Sequence, residues 1–337
     1  MKPDILHKGS QVWLDLDPFY PQNYQQPNTV FKSWAIALQT LGSDINYSTL
    51  MGVSGAAFRF QLHEEWCPSS PHPRCGYNCA QVAMDELHLD TVINIVNTVK
   101  DDLVGAVPLV VESINSKVPV VACGLETGMI VGYDNLNGQI SFLYRGPYSN
   151  KGDGMQVISV DQIRQAPGEL RIFHSVPPKP DEQVLKKSLN LALELALHPL
   201  VDKYSLGFTA LQNWIEGLSD EQYVRELASK DGIAPLSNAN AHMYHSLIDA
   251  RQAASMYLQS VAPVYNGNHS AWINVAQDFK SAAAVLENAF DNVVWGWQIN
   301  QGLKEWTSEK RLAQAKILRQ FLDIEKTNWE RMSNLIN

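Results

Sequence analysis

The sequence lacks any hydrophobic run of the roughly 20 residues that a membrane-spanning helix needs. Its opening segment, MKPDILHKGSQVWLDL, also lacks an apolar stretch of signal-peptide length. Cysteine is scarce, with four in 337 residues. Without a secretion signal, cysteines stay reduced. We therefore expect a cytoplasmic protein with free thiols and no membrane partner.

Basic residues are outnumbered, with 26 Lys and Arg against 35 Asp and Glu and a net charge of -9. The densest basic stretches are pairs such as Lys186-Lys187 and Lys310-Arg311, which are typical of solvated helix faces. Nucleic-acid binding requires a basic stripe, so we expect no nucleic-acid partner. Glycine-rich phosphate loops, dinucleotide fingerprints and zinc-protease motifs are also missing, and we expect no cofactor.

What the chain does contain is enough apolar sequence for a folded core, with 45% hydrophobic and 18% charged residues. Its length favours two domains. The segment Ser175-Val-Pro-Pro-Lys-Pro180 has three prolines in four residues, which favours an extended linker over a helix. The sequence therefore predicts a first domain over residues 1–176 and a second over 181–337.

The two predicted domains differ in their periodicity. In the first, helical spacing covers 32–41 and 101–116, and β-like runs cover 118–123, 129–133, 139–144 and 168–174, with a hairpin turn at 134–138. In the second, long amphipathic patterns cover 182–197, 207–218, 219–229, 240–261, 271–292 and 301–332, and Ser219 is the predicted cap of the third. The sequence thus predicts an α+β domain followed by an all-α helical bundle.

Two stretches of the first domain carry a family resemblance. Ser33 to Phe60, SWAIALQTLGSDINYSTLMGVSGAAFRF, includes Ala37-Leu38 and Met51-Gly52, and Pro119 to Tyr148 includes the Gly132-Tyr133-Asp134 turn. These features resemble the N-terminal domain of the butirosin biosynthesis protein H family, which has a papain-like fold of the double-glycine leader peptidase type. The helical half looks like the helical domain that often follows it. The resemblance implies a papain-like cysteine peptidase-like domain with an all-α domain behind it.

The same resemblance places a catalytic cysteine, histidine and acid, and this sequence departs from all three. Ser33 stands at the cysteine position, the histidine position falls near residues 126–128, and the acid position falls near Arg145. Glu126 is then the candidate base for a Ser33 nucleophile, because burial can raise a carboxyl pKa. Ser33 could instead be the N-cap or a first-turn residue of its helix, where it could help to hold an anionic ligand group.

Several polar residues are candidates for binding a ligand. Small residues around Ser54 allow a close backbone approach, and Arg59 could bind a carboxylate or phosphate bidentately. Alternatively, Arg59 satisfies backbone carbonyls beside a tight turn. Four more residues are expected to line the same cleft: Tyr133, Asp134, Arg145 and Tyr148.

A proline- and serine-rich loop contains Cys67, His72, Cys75 and Cys79. Zinc takes four such ligands in a tetrahedron, so a metal site is one interpretation. The spacing matches no standard zinc motif. The other interpretation is an irregular loop in which Cys79 begins a short helix and packs inward.

Three hypotheses of function follow. The first is a papain-like-fold protein with a degenerate triad that binds a small molecule or peptide in the cleft between its domains. The second is an active amide hydrolase or acyltransferase that uses Ser33, Cys67 or Cys123, and the family resemblance implies an acyl group delivered by a carrier protein. The third is a scaffold protein whose helical half forms a homo-oligomer.

Overall fold

The computed structural model describes residues 2–17, 27–95, 103, 105–123, 126–147, 154–165, 169–264 and 268–336. The protein has a mixed α+β fold with an antiparallel sheet and many helices, as the α+β part of the prediction expected. The chain forms two compact units, each built from two separate stretches. The sheet unit comprises Met1–Leu50 and Leu87–Lys179, and the helical unit comprises Met51–Glu86 and Pro180–Asn337.

The elements are numbered here in chain order. The strands are β1 (Ile5–Lys8), β2 (Gln11–Leu14), β3 (Gln61–His63), β4 (Thr91–Ile95), β5 (Val120–Cys123), β6 (Thr127–Leu136), β7 (Gln139–Arg145), β8 (Gln156–Ile158), β9 (Leu170–Phe173), β10 (Leu200–Val201) and β11 (Tyr204–Leu206). The α-helices are α1 (Thr29–Leu41), α2 (Tyr47–Val53), α3 (Cys79–Glu86), α4 (Val107–Asn115), α5 (Val160–Gln165), α6 (Glu182–Leu197), α7 (Gly207–Ser219), α8 (Glu221–Asp231), α9 (Ile233–Val261), α10 (His269–Glu287), α11 (Gly296–Asn300) and α12 (Ser308–Ile336).

The sheet unit is organised around the long strand β6. Strands lie in the order β1-β2-β6-β5-β9-β4, and β7 pairs with both β6 and β8. All the strand pairings among the described residues of this sheet are antiparallel. Asn137 and Gly138 join β6 to β7 with φ values of 53° and 84°, the left-handed pair that a two-residue hairpin turn requires. The predicted hairpin is therefore confirmed.

Helices cover both faces of this sheet, because successive strand residues point to opposite sides. Ile130 of β6 belongs to a buried cluster with Val110 of α4 and Ile163 of α5. Its neighbours Met129 and Val131 form a second cluster, against which Ile36 of α1 packs. Helix α1 is thus fixed on the central strands β5 and β6, and this contact fixes where its first residues lie.

The helical unit has a core of large apolar side chains on α7, α9, α10 and α12. Helix α9 packs on α10, and α12 packs on both α7 and α10. A short hairpin, β10–β11, pairs with β3 in a separate three-stranded sheet. Among the described residues, no helix combines the length and the apolar character needed to cross a membrane.

Residues 51–86 belong to the helical unit, whereas the sequence assigned them to the first domain. The reason is aromatic packing. The Phe58 ring meets the Phe279 ring edge to face at 5.8 Å, and Phe60 stacks on Trp214 at 5.2 Å. Burying such rings is among the larger contributions to a core. The stretch is therefore held among helices that follow it by more than a hundred residues in the sequence.

Most predicted elements exist, and most of them begin or end at different residues than predicted. The predicted helix at 182–197 coincides with α6, which Asp181 caps by accepting a hydrogen bond from the Val184 amide. Helix α8 is capped by Asp220 rather than by Ser219, whose hydroxyl donates back to the Ile215 carbonyl. The predicted helix at 101–116 begins only at Val107, and its residues 101, 102 and 104 lie outside the described residues.

Candidate functional site

Ser33 lies inside α1 and is fully buried. Its hydroxyl donates to the Thr29 carbonyl at 2.8 Å, the backbone bond that serines form when they occur within a helix. The helix is capped instead by Asn28, whose side-chain oxygen accepts from the Phe31 amide at 3.2 Å. Ser33 is therefore neither the N-cap nor the partner of Glu126, and the prediction that paired them is corrected.

The hydroxyl that meets Glu126 belongs to Thr29, the first residue of α1 and one helical turn before Ser33. Thr29 Oγ1 donates to Glu126 Oε2 at 3.5 Å. Thr29 is 7% exposed. Residues four apart share a helix face, so Thr29 and Ser33 lie on the same face of α1.

Glu126 immediately precedes β6 and is half-buried. Burial raises the pKa of its carboxyl, while the hydrogen bond from Thr29 lowers it by a smaller amount. A carboxyl in such surroundings can act as a hydrogen-bond acceptor when ionised and as a donor when protonated. Thr29 and Glu126 together therefore present a hydroxyl and a carboxyl at the N-terminal end of α1.

Tyr133 and Asp134 do not reach this pair. They lie seven and eight residues along the chain from Glu126, about 23 Å or more at the rise of a strand. The Tyr133 hydroxyl donates to Asn115 Oδ1 at 3.1 Å. Asp134 accepts from the Gln11 amide at 3.1 Å, and hydrogen bonds from Ser10 and Gln11 lower its pKa. Both side chains therefore bond to neighbouring elements, Tyr133 to the end of α4 and Asp134 to β2.

Arg145 lies closer to Glu126, because it pairs across the sheet with Met129. Its guanidinium is buried and donates to the carbonyls of Leu16 and Asp17. The acid position of the resemblance is thus filled by a cation that holds the backbone after β2. Tyr148, predicted to line the same cleft, lies outside the described residues.

Ser54 and Arg59 lie in the helical unit. Ser54 is fully buried, and its hydroxyl donates to the Met51 carbonyl and accepts from the Ala56 amide. Arg59 is also buried, at 6% exposure. Its guanidinium donates to the carbonyls of Pro71, His72, Cys75 and Tyr77. Arg59 therefore has the alternative role predicted from the sequence, which is to satisfy backbone carbonyls. These bonds use the guanidinium donors that binding a ligand would need.

The loop around Arg59 is fixed from a second side by Gln61. The Gln61 amide donates to the Ser70 carbonyl at 2.6 Å and to the Cys75 carbonyl at 2.8 Å. Its own oxygen accepts from the Tyr77 amide. Two buried polar side chains therefore organise a loop that has little regular structure of its own, as buried carbonyls require.

The thiols and the imidazole of this loop are not arranged as metal ligands. Among the residues that the structure describes, no group of three or more His, Cys, Asp or Glu side chains could hold a metal ion. Burial raises the pKa of the Cys75 and Cys79 thiols. Cys79 begins α3 and is completely buried. Both cysteines therefore resist forming the thiolate that a metal or a nucleophilic mechanism needs.

His72 gives a pH-dependent prediction. Burial, assisted by the positive charges of Arg74 and Arg59, lowers its pKa to about 4. The unfolded chain binds a proton near pH 6.5, so the folded state loses stability as the pH falls from about 6.5 to 4. We expect a loss of about 2–3 kcal/mol over that range. Urea unfolding at several pH values should show it.

The control for His72 is the variant His72→Gln, which cannot be protonated in this range. Its stability should fall less steeply over the same pH interval, so the difference between the two proteins isolates the contribution of the imidazole. Identical pH profiles for the two proteins would show that the imidazole is protonated as readily in the folded protein as in the unfolded chain.

Sequence reasoning did not single out Thr29, and it named Glu126 only as a partner for Ser33. The signal for Thr29 was present, since Asn28-Thr29 directly precedes an apolar helical pattern and such pairs mark helix starts. No known family model matches the sequence, and no curated protein matches it. The geometry of the Thr29–Glu126 pair is therefore the basis for assigning a function.

Proposed function

We propose that this protein is a papain-like-fold member with a degenerate triad, which binds a small molecule or peptide at the Thr29–Glu126 pair. The observation that carries the proposal is the contact of 3.5 Å between the Thr29 hydroxyl and the Glu126 carboxyl at the start of α1. The ionised Glu126 carboxylate can accept from an amide N–H, and the Thr29 hydroxyl, when it turns from Glu126 to a ligand, can donate to an amide C=O. Amides and peptides present both groups.

The degenerate triad is supported by what occupies each position. Ser33 donates its hydroxyl to its own helix, and Arg145 donates to backbone carbonyls. A thiolate and an imidazole make the usual pair effective because one attacks and the other takes up and returns a proton. The Thr29–Glu126 pair supplies neither group, which favours binding over papain-type catalysis.

A second candidate function rests on the same contact. An acyl group could be transferred to the Thr29 hydroxyl, with Glu126 accepting its proton. Nucleophile and base often lie slightly beyond hydrogen-bonding distance in proteins without ligand. The activated ester p-nitrophenyl acetate separates the two functions: acyl transfer would release a burst of p-nitrophenol and leave an acetyl group on Thr29, whereas a binding protein would do neither.

The first test replaces Glu126 with glutamine, which keeps the shape of the side chain and removes its charge. We expect at least one member of a panel of N-acetyl dipeptide amides to bind the wild-type protein in calorimetric titration. Glu126→Gln should weaken that binding about tenfold, which corresponds to about 1.4 kcal/mol, because a charge-assisted hydrogen bond is lost.

The matched control is Ser33→Ala, which removes a hydroxyl from the same helix, one turn away from the pair. It should bind the same amide as tightly as the wild-type protein. The proposal fails if no member of the panel binds the wild-type protein, or if Ser33→Ala weakens binding as much as Glu126→Gln does.

A further inference from the structure

Tyr144 reaches Glu126 from the neighbouring strand. It lies near the end of β7, where it pairs with Ile130 of β6, and it is 5% exposed. Its hydroxyl donates to the backbone carbonyl of Glu126 at 2.6 Å. Glu126 is therefore held at two points, through its carbonyl by Tyr144 and through its carboxyl by Thr29.

Two glycines make room for this hydroxyl. A Cβ atom at Gly128 would lie 2.5 Å from the Tyr144 hydroxyl oxygen, and one at Gly146 would lie 2.6 Å from it. Real Cβ atoms do not make contacts that short, so any larger residue at either position would displace the ring or the strand.

Backbone conformation does not explain why residues 128 and 146 are glycine. Gly128 and Gly146 do not have the positive φ of Gly138, the left-handed conformation for which glycine is usually needed. Gly128 also lies against the Arg145 carbonyl, which a Cβ would approach to 2.3 Å. Space for the Tyr144 hydroxyl is thus a physical reason for glycine at both positions, one in β6 and one directly after β7.

The hydrogen bond from Tyr144 holds the backbone of Glu126, and the backbone determines where the Glu126 side chain points. Glu126 precedes the first residue of β6 and is not itself one of the paired residues of the sheet. An additional bond of 2.6 Å to its carbonyl restrains the direction in which its side chain leaves the chain. Supporting bonds of this kind commonly hold binding groups in a productive geometry.

We propose that Tyr144 is the positioning residue of the ligand site: its hydroxyl holds the Glu126 backbone so that the carboxyl is presented to Thr29 and to a bound amide. The inference rests on the proposed function for its ligand, but the positioning itself can be measured without one. Tyr144 touches no ligand in this scheme, and its effect is exerted entirely through Glu126.

The test is Tyr144→Phe, which removes one oxygen atom and leaves the buried ring. The readout is the pKa of Glu126, followed by carboxyl-carbon NMR in protein labelled with carbon-13 glutamate. In the wild-type protein this pKa should lie above the ordinary range for glutamate. In Tyr144→Phe it should fall toward that range, because the released residue exposes its carboxyl to water.

Tyr133→Phe is the matched control. It removes a tyrosine hydroxyl from the adjacent strand β6, where the hydroxyl donates to Asn115 instead of Glu126. It should leave the Glu126 pKa unchanged. If Tyr144→Phe does not fold, Gly146→Ala provides a second variant, since the added methyl would displace the hydroxyl and should lower the same pKa.

The binding experiment separates this inference from the proposed function. Tyr144→Phe should weaken the binding of the N-acetyl dipeptide amide about tenfold, as Glu126→Gln does, and Tyr133→Phe should not. An unchanged Glu126 pKa in Tyr144→Phe would overturn the positioning role, even where the amide binds. A shifted pKa with no amide binding to the wild-type protein would support the positioning role and refute the function.

Discussion

Replacing Arg59 with methionine is expected to lower the free energy of unfolding by about 3–5 kcal/mol. The buried guanidinium donates to four backbone carbonyls in the loop after β3. A buried carbonyl without a donor costs about 1–3 kcal/mol, and some of the four will recover water as the loop opens. Urea unfolding followed by tryptophan fluorescence would measure the loss.

The control for Arg59 is Arg331→Met, which makes the same replacement at an exposed position. Arg331 pairs with Asp278 at 2.7 Å, and its side chain is 59% exposed. Exposed pairs contribute about 0–1 kcal/mol. Opening of the loop should also speed the labelling of Cys67 and Cys75 by a thiol reagent in Arg59→Met alone. Equal destabilisation in both variants would contradict the role assigned to Arg59.

The second large effect is expected at Arg251, which forms a buried ion pair in the helical unit. Arg251 lies 2.6 Å from Glu325 Oε2, and the two side chains are 2% and 0% exposed. Arg251 also donates to the Ala57 carbonyl at 3.0 Å. Arg251→Met should destabilise the protein by about 3–5 kcal/mol, because it leaves the Glu325 carboxyl buried without its cation.

A double variant distinguishes two causes of the destabilisation: the loss of the attraction between Arg251 and Glu325, and the cost of leaving the Glu325 charge buried without a partner. Arg251→Met combined with Glu325→Leu removes both partners and fills the space with apolar atoms. It should be clearly more stable in urea than Arg251→Met alone, since apolar replacements of a buried pair are often neutral. If the double variant is as unstable as the single one, the loss comes from the bond to Ala57 and from packing.

The sequence predicted features that depend on neighbouring residues. Helix α6 has its predicted bounds because Asp181 caps it and its apolar positions repeat with helical spacing. The β6–β7 hairpin follows from the preference of Asn137 and Gly138 for left-handed conformations. At the start of α8, Ser219 and Asp220 are both possible capping residues. Asp220 is the cap, and its side chain accepts hydrogen bonds from two backbone amides.

Features that depend on distant residues were not predictable in the same way. Thr29 and Glu126 are 97 positions apart, and Tyr144 lies 18 positions beyond Glu126. Helical spacing makes Ser33 and Thr29 equivalent choices for one helix face, and only the packing of α1 on the sheet decides between them. The role of Arg59 was not predictable either, because the sequence around it is equally compatible with binding a ligand and with binding backbone carbonyls.

The discontinuous helical unit has a consequence for synthesis on the ribosome. Residues 51–86 emerge early, yet Phe58 and Phe60 find their aromatic partners only on helices after Pro180. These rings must therefore remain without native partners while residues 87–179 are translated. A fragment that begins at residue 181 would likewise leave Arg251 without the Ala57 carbonyl and Trp214 without the ring stacked on it. The nascent chain thus carries these aromatic side chains without their native ring partners until the helices after Pro180 are made, and transiently exposed surface of this kind is what chaperones protect.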